Sequence, residues 1–171
     1  SGPTRSLFIE ESAMSLAEQA LSYVRAISPY QPGKPITELA RETGIPVDKI
    51  VKLASNENPL GMSPKAKKAV EAAISGIERY PDQFDLIAKV AERCGLAQNQ
   101  VVLGNGSNDV LDLIARVFLA PGRSAVFAQH AFAVYPLATL SIGGELIATP
   151  AKNYGHDLDA MRAAIRPDTR I

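Results

Sequence analysis

The residues best suited to chemistry form one short turn, Gly104-Asn105-Gly106-Ser107-Asn108. The turn follows a strand-like apolar run and precedes a segment whose apolar residues have helical spacing. Glycine lets the backbone approach a ligand closely, and the helix that follows directs unpaired N–H groups and its positive dipole end at the same place. Such a turn can bind phosphate. A ligand-free, serine-capped turn is the alternative, because the sequence has neither the third glycine of a dinucleotide motif nor the Lys-Ser or Lys-Thr pair of a P-loop.

Strand-like and helical segments alternate around this turn. The hydrophobic spacing predicts strands over 50–54, 100–104, 124–128 and 145–149. It predicts helices over 12–27, 36–43, 64–77, 107–119, 133–142 and 158–165, and a further helix that is capped by Asp82 or Asp85 and runs to about Cys94. Arg170 and Ile171 are expected to begin a further strand. This alternation predicts an α/β fold with a mostly parallel sheet covered by helices.

Composition and charge argue against several classes of function. Eighteen basic and eighteen acidic residues are interspersed and give zero net charge, so no field would gather nucleic acid or anionic lipid. No apolar run approaches the roughly 18 residues of a membrane span. There is no Cys/His cluster with metal-ligand spacing and no Gly-x-Ser-x-Gly elbow, so neither a metal site nor a hydrolase triad is expected. The single cysteine, Cys94, lies in an amphipathic pattern and is expected to be a buried thiol in a reducing cytosol.

Four stretches in a fixed order carry a family resemblance. They are KLASNENPLG at 52–61, RYPD at 79–82, LGNGSNDVLDLIARVFLAPG at 103–122 and HAFAVYP at 130–136. Together they resemble the first half of the histidinol-phosphate aminotransferases, which are pyridoxal 5'-phosphate enzymes of the aspartate aminotransferase fold (fold type I). The resemblance extends from about Ile27 to Ile171.

The resemblance implies a set of cofactor-binding residues. Gly106, Ser107 and Asn108 would hold the cofactor phosphate with their amides, and Phe132 would stack on the pyridine ring. Tyr80 would reach the phosphate of the neighbouring subunit's cofactor. From the residues alone, Phe132 could instead be a core residue, and Tyr80 an exposed tyrosine in a proline turn.

The resemblance also implies substrate contacts. Tyr30, in SPYQPG, matches a tyrosine that contacts the substrate phosphate from the partner subunit, and Asn56, in NEN, matches the loop on the substrate side of the site. The family usually has Asp-Glu where this chain has Asn108-Asp109, a change that is expected to leave cofactor binding intact.

A further implication concerns the domains. Residues 1–50 are expected to form an N-terminal helical arm that contributes to the small domain and to dimer contacts, and 51–171 the first part of the cofactor-binding large domain. The family's Schiff-base lysine, and the carboxylate that contacts the pyridine nitrogen, match no position here. No catalytic residue is therefore assigned within these 171 residues, and the chain alone is expected to be an inactive fragment.

The function implied is that of a parent enzyme. It would exchange an amino group between L-histidinol phosphate and 2-oxoglutarate in histidine biosynthesis, as a cytoplasmic homodimer with shared active sites, no nucleic-acid partner and no membrane association. Two alternatives from the same fold stay open: an aromatic amino acid aminotransferase and a threonine-phosphate decarboxylase. A third alternative is a non-catalytic module that binds a phosphate ligand or a dimer partner.

Overall fold

The computed structural model describes residues 15–55 and 57–171. Within these ranges the chain contains seven α-helices and four short strands. The helices are α1 Ser22–Arg25, α2 Ile36–Thr43, α3 Pro64–Ala73, α4 Phe84–Cys94, α5 Ser107–Phe118, α6 Val134–Ser141 and α7 Leu158–Ala163. The strands are β1 Ser124–Ala128, β2 Glu145–Thr149, β3 Ala151–Lys152 and β4 Gly155–His156, and single 3-10 turns occur at Val47–Lys49, Ile74–Gly76 and Gln98–Gln100.

These elements form two compact units. One comprises the described residues up to Ser28 together with Leu103–Ile171, and the other comprises Pro29–Val102 apart from residue 56. The first unit contains all four strands and helices α1, α5, α6 and α7; the second contains α2, α3 and α4. The predicted division at residue 50 concerns domains of a complete enzyme and stays a prediction.

A parallel sheet organises the first unit. Strand β1 pairs with β2 in parallel, from Ser124 opposite Glu145 to Ala128 opposite Thr149, with α6 as the crossover helix. On the other side of β1, Thr169 forms a parallel bridge to Ser124, and the N–H of Val126 donates to the carbonyl of Ile171 at 2.9 Å. The residues predicted to begin a further strand therefore lie along β1, and the mostly parallel α/β sheet is confirmed.

Small side chains form the core of this unit. Ala115, Leu119, Ala125 and Ala138 make one buried cluster between α5, β1 and α6, with Val134 and Ile142 packed against it. Buried hydroxyls have carbonyl partners: Thr139 donates to Tyr135 within α6, and Thr149 donates to Phe127 on the neighbouring strand. The C-terminal half of α5 is thus packed against the sheet.

A polar network fixes the start of the strand at Thr169. The Ser124 hydroxyl is fully buried and lies 3.0 Å from the Thr169 hydroxyl. Arg166 contacts Glu145 at 2.6 Å and Asp168 at 2.8 Å. These two hydrogen bonds, Asp168 first, raise the pKa of Arg166, and the Arg166 guanidinium in turn lowers the pKa of the Asp168 carboxyl. The network connects β2, β1 and the segment after α7.

Several helix ends follow local rules. Gly95 ends α4 with φ 66°, and Leu96 donates to the carbonyl of Ala91 at 2.9 Å, which is a Schellman motif. Asp157 caps α7 by accepting from the N–H of Ala160 at 3.0 Å. Pro64 begins α3 as predicted, but the Ser63 side chain makes no capping hydrogen bond.

Three predictions of regular structure are wrong. Residues 50–54 and 100–104 form no strand, because no neighbouring strand pairs with either segment among the described residues. The predicted N-terminal helix is reduced to α1 after a turn at 16–19, and its residues 12–14 lie outside the described part. A short helix needs a packed face, whereas Leu16 and Leu21 are exposed. The antiparallel hairpin of β3 and β4 was not predicted.

The prediction that Cys94 is a buried thiol is also wrong. Cys94 is exposed, because the second unit buries little of its apolar surface; Ala91 is the one buried residue of α4. Large apolar side chains of that unit are exposed, including Val51, Leu53, Leu60 and Ile77.

Candidate functional site

The glycine-rich turn at 104–108 has the geometry of an anion site. Gly106 immediately precedes α5 and has φ 88° and ψ 177°, a conformation open essentially to glycine alone. Gly104 is equally constrained, because a Cβ there would lie 2.8 Å from the Cβ of Asp109 and 3.1 Å from a methyl of Val110. The two glycines therefore set the path of the chain into the helix.

Hydrogen bonding decides which amides of the turn are available. The N–H of Gly106 donates to the carbonyl of Gly104 at 2.8 Å, so this amide is already engaged. In the part of the chain that the structure describes, the N–H groups of Ser107 and Asn108 have no acceptor, as expected for the first positions of a helix. Both residues are exposed. Gly106 thus contributes its backbone conformation, and Ser107 and Asn108 contribute free donors.

A carboxylate braces the turn from within α5. One oxygen of Asp109 accepts from the backbone N–H of Asn105 at 2.9 Å and from its side-chain amide at 3.1 Å. The sequence alone assigned no role to Asn105 or Asp109. The signal was present, however, as an acidic residue in the first turn of a helix, four positions after an asparagine in the preceding turn.

Phe132 lies in the same unit, just after the carboxyl end of β1. Phe132 is 45% exposed, and its ring meets that of Tyr135 at a centroid distance of 6.2 Å and an interplanar angle of 83°. The alternative that Phe132 is a core residue does not agree with this exposure. His130, two residues earlier, packs against Tyr154 of the β3–β4 hairpin at a ring distance of 6.0 Å.

The remaining predicted residues belong to the second unit. Tyr80 is fully exposed and Tyr30 is 54% exposed, so both phenols are accessible. Asn56 lies outside the described residues. The roles of Tyr80, Tyr30 and Asn56 stay predictions.

Other features of the described residues do not compete with this site. An apolar cavity of about 280 Å³ is lined by residues of α5, β1, α6 and α7, and none of the predicted site residues lines it. No group of three or more His, Cys, Asp or Glu side chains that could hold a metal ion occurs within 15–55 and 57–171. Over the same ranges, no helix is long and apolar enough to cross a membrane.

A family model identifies the chain. The model of aminotransferase class I and II matches residues 48–171, which is most of the sequence. The chain belongs to the aminotransferase class I and II family. The match includes the turn at 104–108, Phe132 and Tyr80, but begins after Tyr30.

Relatives within the family are similar over nearly all of the chain. Histidinol-phosphate aminotransferase 1 of Dechloromonas aromatica is 92% identical over 158 residues, which are 92% of this chain and 44% of that protein. Histidinol-phosphate aminotransferase 2 of Nitrosospira multiformis is 59% identical over 160 residues, again 92% of this chain but 41% of that protein. The chain therefore spans less than half the length of the curated relatives it matches.

Solved structures support the fold of the family. The chain superposes on histidinol-phosphate aminotransferase from Sinorhizobium meliloti, solved with pyridoxal-5'-phosphate, with a TM-score of 0.74 at 22% identity, over 92% of this chain and 41% of that one. A Thermus thermophilus aspartate aminotransferase gives a TM-score of 0.69 at 18% identity, over 88% of this chain and 42% of that one. The chain therefore has the fold of part of a fold-type I aminotransferase.

Proposed function

We propose that this chain is the cofactor-phosphate-binding part of a histidinol-phosphate aminotransferase. The observation that carries the proposal is the pair of free amides, Ser107 and Asn108, at the N-terminus of α5, in a family-matched segment shared with a 92% identical relative of that name. The alternatives from the same fold and the non-catalytic module have no comparable observation in their favour.

Pyridoxal 5'-phosphate fits the residues present. A phosphate monoester carries a charge of about −2 near pH 7 and several acceptor oxygens. Two unpaired N–H donors, the positive end of a twelve-residue helix and the Ser107 hydroxyl complement that group. When bound, the cofactor supplies an electron-accepting ring that carries the amino group from the donor to a 2-oxo acid.

The chain's own residues bind and orient the cofactor. Ser107 and Asn108 hold the phosphate end, and Gly106 keeps their N–H groups directed out of the turn. Phe132 offers a half-exposed aromatic face, which suits stacking on a flat ring and favours one ring orientation.

The partner-facing residues extend the proposal to the assembly. We infer that the enzyme acts as a homodimer in the cytoplasm, with Tyr80 donating to the phosphate bound in the other subunit. Tyr30 would contact the phosphate of the substrate, again from the partner subunit, with Asn56 beside it. The exposed phenols and the exposed apolar side chains of the second unit support this proposal, because such surface is commonly covered in obligate dimers.

An assay of the full-length protein that carries this sequence tests the proposed function. Amino transfer to 2-oxoglutarate should have its highest kcat/KM with L-histidinol phosphate, by about tenfold or more over phenylalanine, tyrosine and threonine phosphate. A site that hydrogen-bonds a substrate group strongly rejects analogues lacking it. Equal use of phenylalanine would overturn the assignment of substrate.

The role of Tyr30 is tested in the same assay. Tyr30→Phe removes one hydrogen-bond donor and should raise the KM for histidinol phosphate by about three- to tenfold, with a smaller effect on kcat. Tyr154→Phe is the matched control, since Tyr154 is exposed and has no proposed contact with substrate. An unchanged KM for Tyr30→Phe would remove this residue from the site.

A further inference from the structure

Asp109 presents an electrostatic problem that the proposed function does not solve. Its carboxylate lies in the first turn of α5, next in sequence to the two amides proposed to bind a phosphate. A negative charge on the residue next to these amides repels a bound phosphate. An acidic residue here therefore needs a compensating role.

The structure shows how the carboxylate is used. A single oxygen, Oδ2, accepts both the backbone N–H and the side-chain amide of Asn105, at 2.9 and 3.1 Å. The side chain of Asp109 thereby closes a loop over residues 105–109. It ties the first turn of the helix back to the segment that enters it.

Packing and hydrogen bonding select one arrangement of this loop. The Cβ of Asp109 lies so close to Gly104 that any side chain at 104 would clash. The N–H of Gly106 donates to the carbonyl of Gly104, and the N–H of Asn105 donates to the carboxylate of Asp109, so both of these amides are engaged. Among residues 105–108, the amides that remain without acceptors are those of Ser107 and Asn108.

We infer that Asp109 is a positioning residue for the cofactor phosphate. Resting on the proposed function, this inference states that Asp109 acts by accepting hydrogen bonds from Asn105, not by its charge. It holds the turn in the conformation that leaves the Ser107 and Asn108 amides directed at the ligand. Its negative charge by itself opposes phosphate binding.

Two substitutions separate the hydrogen-bond acceptance of Asp109 from its negative charge. Asp109→Asn keeps an acceptor oxygen for the Asn105 N–H and removes the charge, whereas Asp109→Ala removes both. Asp112→Ala is the matched control: Asp112 is also on α5, is ion-paired with Arg116 at 2.6 Å, and contributes nothing to the turn. All three are made in the full-length protein that carries this sequence.

The probe is pyridoxamine 5'-phosphate, with pyridoxamine as its phosphate-free counterpart. Neither needs a covalent bond to the protein, so calorimetric affinity reports on non-covalent binding. Asp109→Ala should weaken pyridoxamine 5'-phosphate binding by about five- to tenfold, the effect of a lost hydrogen bond, and leave pyridoxamine binding within about twofold. Asp109→Asn and Asp112→Ala should bind the phosphate form within about twofold of wild type, or more tightly for Asp109→Asn.

Each other outcome overturns the inference. Wild-type affinity in Asp109→Ala shows that the turn needs no brace. Equal losses in Asp109→Asn and Asp109→Ala show that the charge matters, and equal losses in Asp112→Ala show a general effect on the helix. A wild-type protein that binds both probes equally contradicts the proposed function itself, which distinguishes the two failures. Thermal unfolding of each variant, with hydrogen exchange at Asn105, shows whether the fold persists while the turn loosens.

Discussion

At the scale of single residues, the turn at 104–108 depends on backbone conformation more than on side chains. The sequence predicts a phosphate turn from two glycines and a helix start, and the structure agrees on where the helix begins. The sequence could not show that the Gly106 amide donates to the Gly104 carbonyl, or that the Asp109 carboxylate accepts from Asn105. Those details depend on ψ angles and rotamers, which composition and spacing do not determine.

Gly106→Ala tests this dependence. A Cβ at φ 88° and ψ 177° costs about 1–3 kcal/mol if the conformation is kept, although the space around it is open. We expect the turn to rearrange and affinity for pyridoxamine 5'-phosphate to fall about tenfold or more. The matched control is Gly76→Ala, since Gly76 has neither a positive φ nor a neighbour within 4 Å of the added carbon, and it should bind as wild type. Calorimetry on both variants measures the difference, and equal affinities would refute the backbone argument.

At the scale of elements, local patterns predicted what local interactions determine. The bounds of α2, β1 and β2 agree with the spacing of apolar residues and with the glycines that follow α2 and precede β2. The segments 50–54 and 100–104 have strand-like composition and yet no strand forms, because a strand exists only with a hydrogen-bonded neighbour. Whether a face of α4 is buried likewise depends on the elements that pack against it. The residues of α4, Cys94 among them, do not specify those elements.

The polar network after α7 predicts a pH dependence. Arg166 lowers the pKa of Asp168 below its ordinary value, so the folded state binds this proton less tightly than the unfolded state does. The stabilisation is therefore present above the unfolded pKa of about 4 and is lost as the pH falls through the folded pKa. Asp168→Asn should lower the Tm at pH 7, and its difference from wild type should shrink as the pH falls below the unfolded pKa of about 4.

Thermal unfolding from pH 3 to pH 7 makes this comparison. Asp112→Ala, which removes an exposed ion pair within α5, is the control for loss of any surface carboxylate. Unlike that variant, Asp168→Asn should also speed hydrogen exchange at Val126, whose amide bonds to Ile171. A Tm difference that is the same at pH 3 and pH 7 would contradict the assigned cause.

At the scale of the whole molecule, the proposal makes two subunits share each active site. If Tyr80 serves the partner's phosphate while Gly106 shapes the subunit's own turn, Tyr80→Phe and Gly106→Ala damage different halves of one site. In a mixed population about half the dimers are hybrids, and each hybrid has one undamaged site and one doubly damaged site. About a quarter of all sites are then undamaged, so activity should recover toward about a quarter of the wild-type value.

Subunit exchange in the full-length protein checks this prediction. Each variant alone should have low activity, and mixing them after mild dissociation should restore it. Re-mixing Gly106→Ala with itself is the control for the exchange procedure. If Tyr80 acts within its own subunit, every hybrid keeps at least one lesion at each site, and mixing restores nothing.

We expect the N-terminus of α5 to bind the cofactor phosphate through Ser107 and Asn108. The most direct measurement is a titration of ¹⁵N-labelled protein with pyridoxamine 5'-phosphate, compared with pyridoxamine, followed by amide chemical shifts. The largest shifts should occur at Ser107 and Asn108, and only with the phosphate form. Equal shifts with both ligands, or shifts that leave these two amides unchanged, would contradict this expectation.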